Sequence, residues 1–145
     1  MAKMKTIRIE AKLDEKFKVE VKAGDRIIYA DQPAAAGGTE AGPNPLEYFF
    51  TGLASCIATA ARIVANQKRI KLNGMDIKVE GAFDTEVLLG KSRENRAGMT
   101  GIKVTLNFDS DMSDDEKKAF TKEIESRCPV SDNIANTTPL VIEVV

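Results

Sequence analysis

One stretch limits what this chain can fold into more than any other. The fourteen residues from Tyr48 to Ala61 carry no charge, in a chain that is 30% charged. Pro43 and Pro45 hold the approach extended, and Pro45 suits a first helical position, where its missing N–H has no helical partner. Leu46, Phe49, Phe50, Leu53, Ile57, Ala60, Ala61 and Val64 recur at helical spacing, which predicts a helix running to about Lys68. Its other faces carry Tyr48, Ala54, Ala58 and Ala65 rather than charges, so it must be nearly encircled by protein. A charge-free run of fourteen residues is too short for a bilayer, which needs roughly 20. A central core helix is expected, with Cys56 near its middle.

The rest of the chain supplies cover for that helix. Ile7, Ile9, Ala11 and Leu13 alternate with charged residues, as do Phe17, Val19 and Val21, and a third strand is expected from Arg26 to Asp31. These predict a three-stranded antiparallel meander. Gln32 to Pro45 reads as loop, with Gly37-Gly38 as flexible punctuation rather than a phosphate cradle. After the helix, Asn73-Gly74 predicts a turn. Strands follow at Met75–Phe83 and Ile102–Phe108, joined by a long exposed connection from Thr85 to Thr100. Ser113-Asp-Asp-Glu116 is a capping box opening a second helix, and Leu140, Ile142 and Val144 predict a last strand. The order βββ–α–ββ–α–β makes one α+β domain over residues 1–145, long enough to bury a core. Because one small sheet and a short helix leave faces of the central helix bare, a second subunit is expected to cover the remainder.

Composition removes several function classes. With 21 basic and 22 acidic residues there is no footprint for nucleic acid or a membrane surface. The charged N-terminus has no apolar run behind it, so no signal peptide is expected and a cytoplasmic location is. There the two cysteines read as free thiols or a cycling pair rather than a permanent disulfide. The chain has no histidine, which removes Ser-His and Cys-His nucleophile pairs and imidazole metal sites. Two lone cysteines 72 residues apart make a poor metal site, so none is expected. Chemistry must rest on Cys56, Cys128, carboxylates, Lys or Arg.

Each cysteine has two readings. Cys56, among apolar neighbours on the helix, is either a small buried hydrophobe or a nucleophile. Cys128 precedes Pro129 at a helix N-cap, where unsatisfied N–H groups favour a thiolate, and Arg127 adds a positive charge next in sequence. The placement could equally be incidental.

Two segments carry a resemblance. Gly42-Pro-Asn-Pro-Leu-Glu-Tyr-Phe-Phe-Thr-Gly-Leu-Ala-Ser-Cys56 and Cys128-Pro-Val-Ser-Asp-Asn-Ile134 resemble the two signature segments of the OsmC/Ohr family (osmotically inducible protein C and organic hydroperoxide resistance proteins). The Gly37-Gly-Thr-Glu40 loop, the element order and the cysteine spacing are similar too. The resemblance implies an intertwined homodimer, with two three-stranded antiparallel sheet portions around long central helices and active sites at the interface. It implies that Cys56 attacks an organic hydroperoxide and becomes a sulfenic acid, that Cys128 resolves it to a disulfide, and that an external thiol or dithiol reduces this. No cofactor is needed. The alternative use of such a fold is a dimeric small-ligand-binding or redox-sensing protein without efficient turnover.

The departures from the family pattern fall around the thiolate's support. Characterised relatives place a Glu directly after the second motif proline, paired with an N-terminal Arg. Here Leu46 follows Pro45 and the carboxylate is Glu47. Nine residues are about 900° on an ideal helix, so Glu47 faces away from its own Cys56 and suits a first-turn carboxylate. In the hairpin where the Arg would lie stand Lys12 and Lys16, which lack the planar fork of a guanidinium. With Arg93 and Arg96 on the glycine-flanked connection, these are the candidate cations.

Overall fold

Alternation in the first thirty residues builds a meander. In the computed structural model, which describes residues 1–145, β1 (Glu10–Leu13), β2 (Val19–Ala23) and β3 (Arg26–Ala30) form an antiparallel sheet in that order. Leu13 faces Val19, and Val19 faces Ala30. β1 begins later than the alternation from Ile7 anticipates. Its ladder ends where Glu10 meets Lys22, at the turn leading into β3, and residues further out have no backbone to pair with. Ile7 and Ile9 stay exposed.

The chain divides into two compact units, Met1–Thr51 and Gly52–Val145. In the first, the loop after β3 is tightly built rather than flexible. Asp31, 2% exposed, is its anchor. Its Oδ2 accepts from the Thr39 N–H, the Thr39 hydroxyl and the Ala41 N–H, and its Oδ1 from the Gln32 N–H. The chain returns so closely that a Cβ on Gly38 would lie 1.9 Å from the Gln32 carbonyl oxygen, and one on Gly42 2.0 Å from that of Tyr29. The glycine pair therefore serves close approach.

α1 (Pro45–Lys68) begins at the expected proline. Asn44 and Glu47 cap it reciprocally, each side chain accepting the other's backbone N–H, and the Tyr48 hydroxyl donates to the Tyr29 carbonyl. At 24 residues the whole helix is, by length and composition alone, apolar enough to cross a membrane, although its charge-free run is not. Its packing is that of a core helix. Leu53, Ile57, Ala60, Ala61, Val64 and Ala65 are buried, and Arg62 donates to the Leu72 carbonyl at 2.8 Å.

In the second unit that stripe meets β4 (Leu72–Ala82) and β5 (Gly101–Ser110), an antiparallel pair. Asn73-Gly74 is not the turn expected from sequence. It lies inside β4 at a register shift between Leu72 and Gly74, because β5 runs on to Ser110 and keeps the backbone paired through a bulge. The connection contains a short helix, α2 (Thr85–Leu88), capped by Asp84. α3 (Asp114–Arg127) opens on the Ser113/Glu116 capping box, and α4 (Pro129–Ala135) follows directly. Phe108, Phe120 and Ile124 complete the core with the α1 stripe.

The expected last strand does not form. Leu140 and Ile142 are 84% and 83% exposed, and the second sheet has two strands rather than three. Alternation marks which side chains share a face, but a strand also needs a neighbouring backbone, and no segment of this chain offers one there. The α+β class, with two antiparallel sheets and one long helix, stands.

Thr39's hydroxyl hydrogen bond, helped by backbone N–H groups of Gln32, Ala41 and Thr39, holds the Asp31 carboxyl down at about 2. A lowered folded value stabilises the fold above the unfolded value of about 4, and that stability is lost as pH falls through about 2. Asp31→Asn places an amide where four donors converge. Its melting temperature is expected to drop by about 5 °C at pH 7, with a flatter acid limb between pH 4 and 2. Thermal melts across that range check it, and parallel curves for the two proteins would contradict the assignment.

Candidate functional site

The site starts from a corner. Pro129 disfavours helical geometry at the residue before it, so α3 stops and α4 starts at Cys128, whose φ of −84° and ψ of 106° are extended. An N-cap side chain turns back to accept from the first turn, and Cys128 Sγ accepts from the Ser131 N–H at 3.4 Å. This thiol is 1% exposed. Cys56, half-buried on α1, presents its sulfur to the same place. The Cys128 S–H donates to Cys56 Sγ across 3.0 Å, although the residues are 72 apart in sequence.

Of the two readings open for Cys128, a thiolate favoured by the N-cap or an incidental placement, the N-cap effect is present but is outweighed. Burial pushes the Cys128 thiol up, and its hydrogen bond to Cys56 adds to this. The N–H of Ser131 opposes both and is outweighed. Cys128 is therefore the protonated, donating member of the pair.

Cys56 opens onto a cleft of about 540 Å³ walled by Gly52, Ser55, Thr59, Ala60, Ile63, Pro129 and Val130, with Arg127 its one charged lining residue. The Ser55 and Thr59 hydroxyls bond to carbonyls of α1 itself, those of Gly52 and Ser55. On the other side of the corner is an apolar hollow of about 700 Å³, lined by Leu53, Ile57, Ile102, Leu106, Ile124 and Ile134 and bordered by Lys117, Lys118 and Lys122. No cluster of three or more metal-ligating side chains is present.

The remaining sequence candidates are placed as follows. Lys12 sits on β1 opposite Glu20, and Lys16 lies in the exposed turn after it, both within the N-terminal unit. Glu47 is occupied in capping α1. Arg93 and Arg96 are exposed on the connection, with the Arg96 guanidinium folded over Gly98, and neither walls the Cys56 cleft. Sequence reasoning named Arg127 only as a positive charge beside Cys128, and did not single out Gln67. The one available signal was periodicity: Gln67 is eleven residues beyond Cys56, about three helical turns, and so shares its face.

An extended corner cysteine against a helix-borne cysteine, on an α+β frame with two small antiparallel sheets, defines a two-thiol protein. The chain belongs to the OsmC-like protein family, whose sequence model matches residues 37–143. It is 27% identical over 106 residues to the hydroperoxide reductase of Mycoplasma pneumoniae, covering 73% of this chain and 72% of the relative. Its fold is similar to the crystal structure of an OsmC-like protein from Mycoplasma pneumoniae, with a TM-score of 0.79 at 25% identity, over 92% of this chain and 89% of the other. The organic hydroperoxide resistance protein OhrB of Bacillus subtilis shares the fold at a TM-score of 0.61 and 21% identity, over 91% and 92% of the two chains.

Access and protonation together set an order of reactivity. With iodoacetamide at pH 7.5, Cys56 is expected to label first and Cys128 at least about tenfold more slowly, the Cys128 rate still climbing above pH 8.5. Peptide mapping reads both rates. Equal rates in the native protein would contradict the geometry.

Proposed function

We propose that the protein is a thiol-dependent peroxidase for organic hydroperoxides. The observation that carries this is the 3.0 Å approach of the Cys56 and Cys128 sulfurs, in a chain related to a named hydroperoxide reductase. Cys56 thiolate attacks the terminal oxygen and takes it with its hydrogen as sulfenic acid. The alkoxide leaves with the O–O electron pair and takes a proton from water to become the alcohol. Cys128 sulfur then attacks Cys56 sulfur, the S–O bond breaks, and the oxygen departs as water with the Cys128 proton. An external thiol or dithiol reduces the disulfide by exchange. The apolar walls of the cleft suit organic rather than hydrogen peroxide. The route uses no cofactor or metal.

Cys56→Ser is expected to abolish consumption of cumene hydroperoxide with a dithiol, whereas Cys128→Ser performs one turnover and leaves a sulfenic acid trappable by dimedone. If dimedone labels Cys128 in the Cys56→Ser protein equally fast, the roles are misassigned. A thiolate in an apolar setting needs a cation, and Lys12, Lys16, Arg93 and Arg96 are the proposed sources. The alanine variant removing it is expected to slow turnover about tenfold at pH 7 and recover at pH 9. Four unchanged variants would refute that assignment.

The protein is further proposed to be a cytoplasmic homodimer of one OsmC-like domain per chain, with its sites at the interface. The bare apolar side chains of Ile7, Ile9, Leu140, Ile142 and Val144 support a second chain. The hollow of about 700 Å³ favours a second reading, a dimeric small-ligand-binding protein without turnover. Native mass spectrometry of the purified protein separates these. A mass of two chains is expected, and a single-chain mass contradicts the dimer. Added small-molecule mass in a protein that consumes no peroxide would favour the second reading.

A further inference from the structure

The α3–α4 corner carries a side chain that the proposed chemistry does not use. Arg127 lies directly before Cys128. Its Nη1 donates to Gln67 Oε1 on α1 at 2.5 Å, and its Nη2 pairs with Glu123 one turn back on α3. Eleven residues are about 1100° of helix, so Gln67 lies within about 20° of the Cys56 face of α1, three turns along. Arg127 thus ties the last turn of α3 to the helix face that bears Cys56.

Two roles are open to a guanidinium there. The first is to support a thiolate at Cys56. Gln67 is about 16 Å along α1 from Cys56, and exposed charges are largely screened beyond about 8 Å at physiological ionic strength. Gln67 thus draws the guanidinium away along α1, but Arg127 also lines the Cys56 cleft, so its effect on Cys56 oxidation has to be read separately from its effect on closure. The second role is mechanical. A cysteine side chain is short, so the position of Cys128 Sγ follows its backbone, and that backbone is the corner itself. The planar guanidinium reaches both partners at once, which a point-like ammonium does less well.

We propose that Arg127 is a positioning residue. The Glu123–Arg127–Gln67 bridge locks the α3–α4 corner against α1 and holds Cys128 Sγ within reach of Cys56 Sγ for disulfide closure. This rests on the reading of Cys128 as the resolving thiol. Closure joins the two sulfurs and releases the sulfenic oxygen as water, so its rate and the stability of the product depend on how well the sulfurs are held together.

Arg127→Ala, Gln67→Ala and Arg127→Lys, each in the full chain, test it. The Cys56–Cys128 couple is equilibrated in graded reduced and oxidised dithiothreitol, which needs no peroxide. In Arg127→Ala the disulfide is expected to be about tenfold less stable, a potential about 30 mV higher. Gln67→Ala is expected to shift the same way by less, with Arg127→Lys between wild type and Arg127→Ala. Disulfide closure after peroxide slows about tenfold in Arg127→Ala, and by clearly more than Cys56 oxidation slows when Arg127→Ala is added to a Cys128→Ser background. Gln67 is exposed, so its variant reports even if Arg127→Ala fails to fold. Potentials within twofold of wild type in every variant that folds overturn the proposal. Equal slowing of Cys56 oxidation also overturns it, by giving Arg127 an electrostatic role. A wild-type protein with a measurable couple but no peroxide consumption sinks the peroxidase reading and leaves the bridge to be judged by its potentials. Failure of wild type to form the disulfide at all sinks both.

Discussion

How closely the rest of the C-terminal unit can approach α1 decides almost everything else in it. Ala61, Val64 and Ala65 have no accessible surface at all. Three small side chains in a row along the buried stripe let β4, β5 and α3 close around the helix. Behind them Phe108 and Phe120 meet at 5.3 Å with planes tilted by 59°, within the range where an aromatic pair adds about 1 kcal/mol to plain burial. Because the interior is close-packed, a larger side chain at Ala61 would force the layers apart at about 1–3 kcal/mol. The small residues are thus as much a part of the core as the large ones.

The same closure sets the chemistry at the corner. Ile124, one turn before Cys128 on α3, is 1% exposed, and Cys128 equally so. A helix N-cap alone would draw a thiol towards ionisation, because backbone N–H groups and the dipole both favour negative charge. Burial strips away the water that a thiolate needs. Here desolvation wins, and the proton stays on Cys128 to be donated to Cys56. Two identical side chains become inequivalent through environment, one opening onto a cleft and one sealed and protonated behind it. That division suits one thiol meeting an outside molecule and the other meeting only its neighbour.

Features determined by a short run of residues were legible in the sequence. α1 has its own apolar period and proline start, α3 its capping box, and α4 its Cys-Pro corner. Helical phase also placed Glu47 as a first-turn carboxylate, and it caps Asn44. What required a partner was not legible. That Asn73-Gly74 would be a bulge depended on how far β5 extends. The rigidity of the Gly37-Gly38 loop depended on Asp31, whose four donors come from Gln32, Thr39 and Ala41. Thiol ionisation at Cys128 depended on core packing that no local pattern encodes. The Arg127 bridge joins residues 60 apart, and only the corner's angle brings them together.

The strand ends make the same distinction in its sharpest form. A helix satisfies its backbone from within, so a periodic segment is sufficient cause for it. A strand satisfies half of its backbone from a neighbour, so alternation is only a claim on one. Ile7 and Ile9 at one end, and Leu140, Ile142 and Val144 at the other, keep the alternation of strands whose neighbours this chain does not contain. Left in water, their backbones are hydrogen-bonded but their apolar faces are not buried, and each such face forgoes about 25 cal/mol per Å². Edges of that kind are normally blunted by charge or proline. Leu140–Val145 has a single charge, Glu143, and no proline. A segment so little protected against pairing carries alternation without a ladder, so its exposed apolar face follows from the missing neighbour and not from the pattern of its own residues.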